Sequence, residues 1–358
     1  MASEKNVQSP EEIRRQDAAC FRTLLDWYQG GHRDLPFRQD RQPYHIWVSE
    51  IMAQQTRIEA MIPYYERFMK RFPTVQDLAA ADEDTLHKAW QGLGYYARAR
   101  NLQKAARILT ETGFPKTKEE LMKLPGIGPY TAGAIASISF EQKAAAVDGN
   151  VLRVFSRLYD IQEDVMRPAV KRQIEKLVLE AMIRPYGDFT QALMELGALI
   201  CTPGAPDCGS CPVNRWCRAG DPASLPVLPE KKPKKEEKKA FLVYCDGSRI
   251  HLEKRPASGL LAGLYGFPEG CPGPDAQLLA EYDHVFTHRI WHVQGWLVPV
   301  APDSLPDMHT PEEIEASYAV PTAFAPLYRK AAVWLQKSKT SDSSASSPLP
   351  ASGGKESS

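Results

Sequence analysis

Four of the seven cysteines are crowded into one short segment, and their thiolates could hold a metal. Cys201, Cys208, Cys211 and Cys217 follow the spacing Cys-x6-Cys-x2-Cys-x5-Cys. In a reducing compartment such a cluster indicates metal ligation rather than disulfides. Four cysteines suit either a tetrahedral zinc ion or a [4Fe–4S] cluster. Zinc sites usually combine two short Cys-x2–4-Cys pairs, and this segment has only one, so the spacing favours iron–sulfur.

Two carboxylates in the first half of the chain stand where acid–base chemistry is possible. Glu50 lies with two amides, Gln54 and Gln55, among apolar residues that are typical of a core. A glutamate is rarely buried without a task or a partner, although one structural salt bridge would also explain it. Asp148 lies in the tripeptide Asp-Gly-Asn that ends at Asn150 and that, by itself, is typical of a simple turn.

A turn with two glycines, Gly126 and Gly128, lies between two segments of helical periodicity. The glycines allow conformations that a Cβ would forbid, and they expose backbone N–H groups at the start of the next helix. That arrangement suits a DNA phosphate. A tight helix–helix turn without a ligand is the alternative, and the pattern favours DNA binding.

The elements that must position these residues change in character along the chain. Residues 9 to about 220 are predicted to be mostly helical, because apolar residues recur at helical spacing. Residues 225–239 combine prolines with charges of both signs, which indicates an exposed linker. Strands and turns then follow: 240–245 and 248–254 predict a β-hairpin, 289–300 a strand or pair of strands, and 326–337 a closing helix. The serine-rich residues 338–358 predict a disordered tail.

Charge and hydropathy limit the partners that the sequence allows. The 44 basic and 44 acidic residues cancel, so any DNA-binding face must be a local basic patch. No segment approaches the length of apolar sequence that spans a membrane, and no membrane partner is expected. The first residues lack the apolar stretch of a secretory signal, which predicts a cytoplasmic protein.

Taken in order, these segments resemble the helix–hairpin–helix DNA glycosylases of the endonuclease III superfamily and, within it, the MutY-type adenine glycosylases. The resemblance covers roughly residues 15–335. It implies a mostly α glycosylase domain with an iron–sulfur cluster loop at 1–224, the linker at 225–239, and an α+β Nudix-like domain at 240–337. The helical domain would divide into a six-helix lobe of about 30–136 and an iron–sulfur lobe of 9–29 plus 137–224.

The resemblance implies a monofunctional enzyme that hydrolyses the N-glycosidic bond of adenine mispaired with 8-oxoguanine or guanine in double-stranded DNA. An acid must protonate the base before it leaves, and a carboxylate can then stabilise the cationic sugar. The family pattern makes Glu50 the acid at adenine N7, Asp148 the group that faces the sugar, and Asn150 a further site residue. Apolar neighbours would raise the pKa of Glu50: Ile46, Trp47 and Ile51. The spacing of the cysteines matches the family's [4Fe–4S] cluster, and we expect a monomer associated with a bacterial nucleoid.

Tyr130 distinguishes two activities within the superfamily. Enzymes of the endonuclease III type carry a lysine there, which forms a Schiff base and cuts the strand, and a phenol cannot form that imine. We therefore expect base removal without an efficient lyase step, with Tyr130 packed and hydrogen-bonded beside Asp148. A bifunctional lyase and a non-catalytic DNA-damage binder are the alternatives. Tyr130 and the second domain oppose the first of these, and the two carboxylates oppose the second.

The remaining predicted site residues match positions that contact DNA in the family. Gln55 and Tyr95 match residues that intrude into the base stack, whereas Ala53 and Phe37 depart from the Leu and Trp that are common there. The stretch that ends at His288 matches a loop that reads the N7–H and O8 groups of 8-oxoguanine, although a plain turn would also explain it. The Nudix magnesium site is absent, because only scattered acids follow Pro268, so pyrophosphatase activity is not expected. The predicted DNA- and base-binding set is Arg33, Leu35, Arg38, Gln55, Thr56, Tyr95, Gly126, Gly128, Phe286, Thr287 and His288.

Overall fold

The computed structural model describes residues 10–230 and 232–344, with side chains described for 17–230 and 232–337. The chain divides into two compact units, each of which is built from two separate stretches. The first unit combines the residues up to Ala81 with those from Ala97 to 230, and the second combines Asp82–Tyr96 with the residues from 232 onward. Sequence order alone does not predict that Asp82–Tyr96 belongs with the C-terminal stretch.

The described part of the first unit consists of helices joined by loops. Prolines occupy the first turn of several helices, where the missing N–H is tolerated. Its helices are α1 (Pro10–Gly31), α2 (Pro43–Ala53), α3 (Ile58–Arg71), α4 (Val75–Ala80), α6 (Ala97–Thr112), α7 (Lys118–Leu121), α8 (Pro129–Phe140), α9 (Gly149–Leu158), α10 (Pro168–Ala181) and α11 (Tyr186–Leu199), with α5 (Glu83–Trp90) lying in the second unit.

Helix α8 is the central element of the first unit. Every residue from Thr131 to Ile138 is buried, as expected for a helix that is apolar on all sides. It contacts α2 on one side and α11 on another, and α11 in turn contacts α9. This packing brings the N-terminal end of α8 together with the residues of α2 and α9 that carry the predicted chemistry.

The turn between α7 and α8 needs only one of its two glycines for conformational reasons. Gly126 has φ +77°, and a Cβ there would lie 2.6 Å from Cβ of Asn101. Gly128 has extended backbone with φ −86°, and a Cβ would meet no atom within 4 Å. The expectation that both glycines adopt forbidden conformations is therefore wrong for Gly128. Its open surroundings instead leave the start of α8 accessible to a ligand.

The second unit contains a five-stranded mixed sheet with helices against it. The strand order is β5-β6-β1-β2-β7; β1 and β6 are parallel along their whole length, and the other neighbouring strands are antiparallel. Aromatic residues fill its core, among them Phe241 of β1, Trp291 of β6 and Phe324 of the turn before α13. The elements are β1 (Lys235–Cys245), β2 (Ile250–His251), β3 (Glu253–Lys254), β4 (Tyr265–Gly266), β5 (Gln277–Val285), β6 (Arg289–Pro299), β7 (Met308–His309), α12 (Pro311–Ser317) and α13 (Ala325–Ser344).

Two boundaries differ from the sequence-based expectation, while the predicted fold class is confirmed. Strand β1 begins at Lys235, inside the predicted linker, because residues 235–239 pair with β6. Helix α13 continues to Ser344, inside the predicted tail, because no proline or glycine interrupts residues 338–344. The tail prediction for 345–358 lies outside the described residues. Among the helices that the structure describes, none has the length and apolar character needed to span a membrane.

Candidate active site

A cavity of about 830 Å³ in the first unit brings the predicted catalytic residues together. Glu50 on α2 and Tyr130 in the first turn of α8 both line it, as does Asp148, the N-cap of α9. Asn150 also lines this cavity. The two carboxylates therefore face one space, which is large enough for a ligand of nucleoside size.

Glu50 is a carboxyl group with a strongly raised pKa. Burial, together with the nearby charge of Asp148, raises its pKa from 4.5 to about 7. The Tyr130 hydroxyl donates a hydrogen bond to Oε2 of Glu50, which opposes this shift. Ile46 lines the cavity beside Glu50, while Trp47 and Ile51 are buried. A pKa near 7 lets this side chain hold and release a proton at neutral pH.

The same shift predicts a stability change in the variant Glu50→Gln. The folded pKa lies above the unfolded value, so ionisation destabilises the folded protein as the pH rises from about 4.5 to about 7. The amide stays neutral and can still accept from Tyr130. We expect the variant to exceed the wild type in free energy of unfolding by about 1–3 kcal/mol at pH 8, and by less at pH 5. Denaturant unfolding at both pH values measures this, and an equal difference at the two would contradict it.

Asp148 is held by hydrogen bonds to both of its oxygens. Oδ1 accepts from the backbone N–H of Val151 at 2.8 Å and so caps α9, and Oδ2 accepts from Nδ2 of Asn150 at 2.8 Å. Burial raises the pKa of Asp148, and these bonds oppose that shift. The Tyr130 hydroxyl lies near Asp148, and its hydrogen bond is donated to Glu50.

A buried arginine fixes Asn150 from behind. Nη2 of Arg153 donates to Oδ1 of Asn150 at 2.8 Å and to the Gly197 carbonyl at 2.7 Å, while Nε donates to the Cys201 carbonyl at 2.6 Å. A Cβ at Gly197 would lie 2.5 Å from Cβ of Asn150, so α11 can approach only through a glycine. Hydrogen bonds therefore run from the first cysteine of the cluster segment to Asp148.

The stretch that leads into Asp148 is fixed by a second close approach. Gly133 of α8 packs on this stretch, and a Cβ there would lie 2.1 Å from the carbonyl oxygen of Ala145. Backbone atoms cannot yield as a flexible side chain can. Tyr130 lies on the same helix as Gly133. The position of Asp148 relative to Tyr130 therefore depends on the absence of a side chain at Gly133.

We expect Gly133→Ala to lower the single-turnover rate strongly, although the substitution adds only one methyl group. Displacing residues 144–148 by the added methyl would destabilise the fold by about 1–3 kcal/mol. A shift of about 1 Å at Asp148 would lower the rate of a reaction that depends on its position by about 10²-fold. Gly30→Ala is the matched control, since nothing lies within 4 Å of a Cβ there. Thermal unfolding and single-turnover kinetics report the two effects; wild-type kinetics in Gly133→Ala would refute the positioning argument.

A buried ion cluster forms another wall of the cavity. Glu195 of α11 is fully buried and accepts from Nη2 of Arg33 and Nη2 of Arg38, each at 2.9 Å. Burial alone would raise the pKa of Glu195, but the bonds from Arg33 and Arg38 outweigh it and hold the pKa at about 2. Nη1 of Arg38 has no hydrogen-bond partner among the described residues, although Arg38 lines the cavity. Leu35 is buried and also faces it.

Glu195, which holds the two arginines of the cavity wall, was not among the predicted residues. The available signal was the same one that identified Glu50: a carboxylate among apolar residues of a predicted helix, here Leu193 and Leu196. Its two partners, Arg33 and Arg38, belong to the predicted DNA- and base-binding set. Without Glu195 as counter-charge, two guanidinium groups this close would repel each other.

Gln55 and Tyr95 share an unusual backbone conformation. Gln55 has φ +60° and Tyr95 has φ +49°, both in the left-handed region that residues with a Cβ rarely adopt. Both side chains are exposed, and Tyr95 is 47% accessible. Gln55 and its neighbour Thr56 line the mouth of the cavity. Strain of this kind persists only where the surroundings impose it, and it is concentrated at functional sites.

In the second unit, the loop Phe286–His288 joins β5 to β6. The Phe286 ring packs edge-on against Trp291 with 4.9 Å between centroids. Thr287 and His288 are exposed, and the Thr287 hydroxyl is hydrogen-bonded to the hydroxyl of Tyr95. The loop thus offers a polar edge over an aromatic support.

The cysteine segment follows α11 directly. Cys201, Cys208, Cys211 and Cys217 are all partly buried, and Arg157 donates from Nη1 to Sγ of Cys201 at 3.2 Å. Burial, together with the other three thiols, raises the pKa of Cys211 to about 11, as expected where several sulfur atoms lie near one another. Among the described residues, no group of three or more His, Cys, Asp or Glu side chains has the geometry of a metal-ion site.

Comparison with known proteins defines the class to which this fold and site belong. Residues 48–180 match the model of the HhH-GPD superfamily of base excision DNA repair proteins, and residues 239–330 match a NUDIX domain. A thermostable thymine-DNA glycosylase of known structure superimposes with a TM-score of 0.52 and 26% identity, over 57% of this chain and 97% of its own. The protein is thus a DNA glycosylase of base excision repair with a Nudix-like second domain.

The particular family follows from closer relatives. Adenine DNA glycosylase of Rattus norvegicus is 37% identical over 369 residues, covering 85% of this chain and 70% of the relative. Adenine DNA glycosylase of Buchnera aphidicola subsp. Baizongia pistaciae (strain Bp) is 39% identical, covering 70% of this chain and 73% of the relative. The chain belongs to the adenine DNA glycosylase family.

Proposed function

We propose that this protein hydrolyses the N-glycosidic bond of adenine mispaired with 8-oxoguanine or guanine in duplex DNA, without cutting the strand. The observation that carries the proposal is the pair of carboxylates in one cavity, which have different surroundings. Glu50 has a pKa near 7, and its Oε2 accepts a hydrogen bond from the Tyr130 hydroxyl. Asp148 instead accepts from two N–H groups, which favour its ionised form. When the surroundings of two carboxyl groups differ in this way, one can act as the proton donor while the other stays ionised.

The residues suggest the following sequence of events. Duplex DNA is bent, and the adenine is extruded into the cavity, with Gln55 and Tyr95 entering the stack. Glu50 then donates its proton to adenine N7, so the base leaves as a neutral molecule. Asp148 stabilises the resulting oxocarbenium-like sugar until water adds to it, and the proton that the water releases returns to the Glu50 carboxylate. Asn150 keeps Asp148 in place through the bond to Oδ2.

The cavity walls would hold the extruded base. Nη1 of Arg38 can donate to a ligand acceptor, and Glu195 holds the guanidinium group through Nη2. Leu35 supplies an apolar contact, and Arg33 and Thr56 border the same space. The backbone N–H groups of Gly128 and of the first turn of α8, where Pro129 itself has none, would bind a phosphate of the strand.

One experiment separates this function from its alternatives. An end-labelled duplex with a central A:8-oxoguanine pair is incubated with the protein and then divided, with and without hot alkali. Breakage only after alkali supports a monofunctional glycosylase. Breakage without alkali would instead support a lyase, and binding with neither product would support a non-catalytic DNA-damage binder.

For lesion recognition, we propose that the loop Phe286–His288 reads 8-oxoguanine. The Thr287 hydroxyl can face the N7–H and O8 groups that distinguish the lesion from guanine. Its bond to Tyr95 joins the reading loop to a predicted intercalating side chain in the same unit. His288 and Phe286 would flank the base.

For the cofactor, we propose that Cys201, Cys208, Cys211 and Cys217 hold a [4Fe–4S] cluster. Four partly buried thiols and the Arg157 N–H group directed at one sulfur fit an anionic cluster. When bound, the cluster would stabilise the loop and take no part in hydrolysis. Cys208→Ser should lose iron and acid-labile sulfide, whereas the exposed Cys271→Ser should retain both. Full iron content in Cys208→Ser would exclude this ligand set.

For domain organisation, we propose the division expected from the sequence: a helical domain at 1–224, with lobes of about 30–136 and of 9–29 plus 137–224, and a Nudix-like domain at 240–337. The segment Asp82–Tyr96 would act with the second of these domains. We further propose that the enzyme acts as a monomer on nucleoid DNA in the cytoplasm. A molar mass above that of one chain in light scattering would contradict the monomer.

A further inference from the structure

The reading loop is anchored by the start of β1, in the stretch that the sequence suggests is a linker. Lys234 donates from Nζ to the Phe286 carbonyl at 2.9 Å, and the Lys235 N–H donates to the His288 carbonyl at 3.1 Å. Both ends of the three-residue loop are therefore held from outside its own hairpin. The bond from the Phe286 N–H to the Arg289 carbonyl, at 2.9 Å, closes the hairpin itself.

Glu237 is the centre of this anchoring. Its carboxylate accepts from Nη1 of Arg289 at 3.1 Å, from Nε1 of Trp291 at 3.1 Å and from Nζ of Lys235 at 2.9 Å. Arg289 directly follows the loop, and Trp291 carries the ring on which Phe286 packs. The Glu237 carboxylate thus positions both Arg289, which follows the loop, and Trp291, on which Phe286 packs.

The neighbouring glutamate shows that this arrangement is specific to one face of the strand. Successive residues of a strand point to opposite faces, so Glu236 and Glu237 diverge. The Glu237 side chain is 16% exposed, whereas that of Glu236 is 68% exposed and pairs only loosely with His292, at 3.5 Å. Charge-assisted bonds at a mostly buried carboxylate hold geometry better than exposed ones.

We propose that Glu237, assisted by Lys234, is a positioning residue that sets the discrimination between 8-oxoguanine and guanine opposite adenine. The proposal rests on the proposed function, because it assumes that the loop Phe286–His288 reads the lesion. Neither residue needs to touch DNA. They fix where the Thr287 hydroxyl stands, so their loss would affect the choice of lesion more than general folding.

The test compares kcat/KM on two duplexes that differ only in 8-oxoguanine or guanine opposite adenine. Misplacing one hydroxyl contact should lower the ratio of the two values about tenfold in Glu237→Ala. Glu237→Gln should restore much of the ratio, since its amide oxygen can still accept from Trp291. Glu236→Ala, which removes the same charge from the same strand, should match the wild type. A Glu237→Ala ratio equal to that of the wild type, or an equal fall in Glu236→Ala, would overturn the proposal.

A second pair of variants covers the case in which Glu237→Ala does not fold. Lys234 is exposed, so Lys234→Met should fold and lower the same ratio, while Lys232→Met should leave it unchanged. Equal ratios in these two variants would count against the anchoring. If the wild type prefers 8-oxoguanine and the variants keep that preference, only this inference fails. If the wild type releases no adenine from either duplex, the proposed function fails with it.

Discussion

Replacing Asp148 by Asn is expected to lower the single-turnover rate of adenine release by about 10²- to 10³-fold, with little change in duplex binding. Asparagine is as good a helix N-cap as aspartate, so its side-chain oxygen can still accept from the Val151 N–H, and α9 still begins at Gly149. The variant loses the negative charge beside the developing cationic sugar. Rapid quench with an 8-oxoguanine duplex measures the rate, and gel shift measures binding.

The matched control makes the same chemical change at another helix. Asp82 caps α5 by accepting from the Thr85 N–H at 2.7 Å, and it does not line the cavity. Asp82→Asn should therefore retain the wild-type rate. If Asp148→Asn turned over as fast as this control, the charge at position 148 would have no part in the reaction.

Glu50→Gln should lower the rate of adenine release by about 10²- to 10⁴-fold, because an amide cannot donate the proton that the leaving base requires. In the wild type, the rate should fall as the pH rises through about 7, where Glu50 loses that proton. At low pH the rate should fall again as Asp148, whose pKa is raised by burial, becomes protonated. Together these limbs give a bell-shaped profile of single-turnover rate against pH.

The high-pH limb is the diagnostic part of that profile. The residual activity of Glu50→Gln should show no decline through pH 7, since the group that titrates there has been removed. Glu66→Gln, an exposed position on α3, should keep both limbs and the full rate. A high-pH limb that survives in Glu50→Gln would assign it to another group, with Tyr130 the nearest phenol.

How much of the site could be predicted depended on the kind of interaction involved. Local sequence marks Glu50 as a charge among apolar residues of a predicted helix. The tripeptide at Asp148 is by itself typical of a turn, and only its resemblance to the family pattern indicates a role. The meeting of these two residues in one cavity depends on α8 packing against both α2 and α11, which pattern alone does not fix. Glu195 carried a similar local signal, but its two arginines are distant in sequence, and no spacing rule connects them.

The fold was predicted best where periodicity is strong and least well where tertiary contacts decide. The class of each unit followed from helical and alternating patterns. Residues 235–239 are all charged, which predicts an exposed linker, yet they form part of a sheet because β1 pairs with β6. Gly133 and Gly197 look like ordinary glycines inside helices, and only the structure shows the backbone and side chain that touch them.

The interleaving of the two units along the chain has a consequence for proteolysis. Helix α5 is covalently part of the N-terminal half, but Lys88 donates from Nζ to the carbonyls of Ile314 and Tyr318, and Asp84 pairs with Lys254 at 2.8 Å. A nick between residues 225 and 234 would cut the peptide and leave these bonds intact. The two fragments should then co-elute from a sizing column under native conditions and separate only in denaturant. Co-expressed halves should reassemble by the same contacts, whereas an N-terminal half made alone would leave α5 without the C-terminal residues that it contacts.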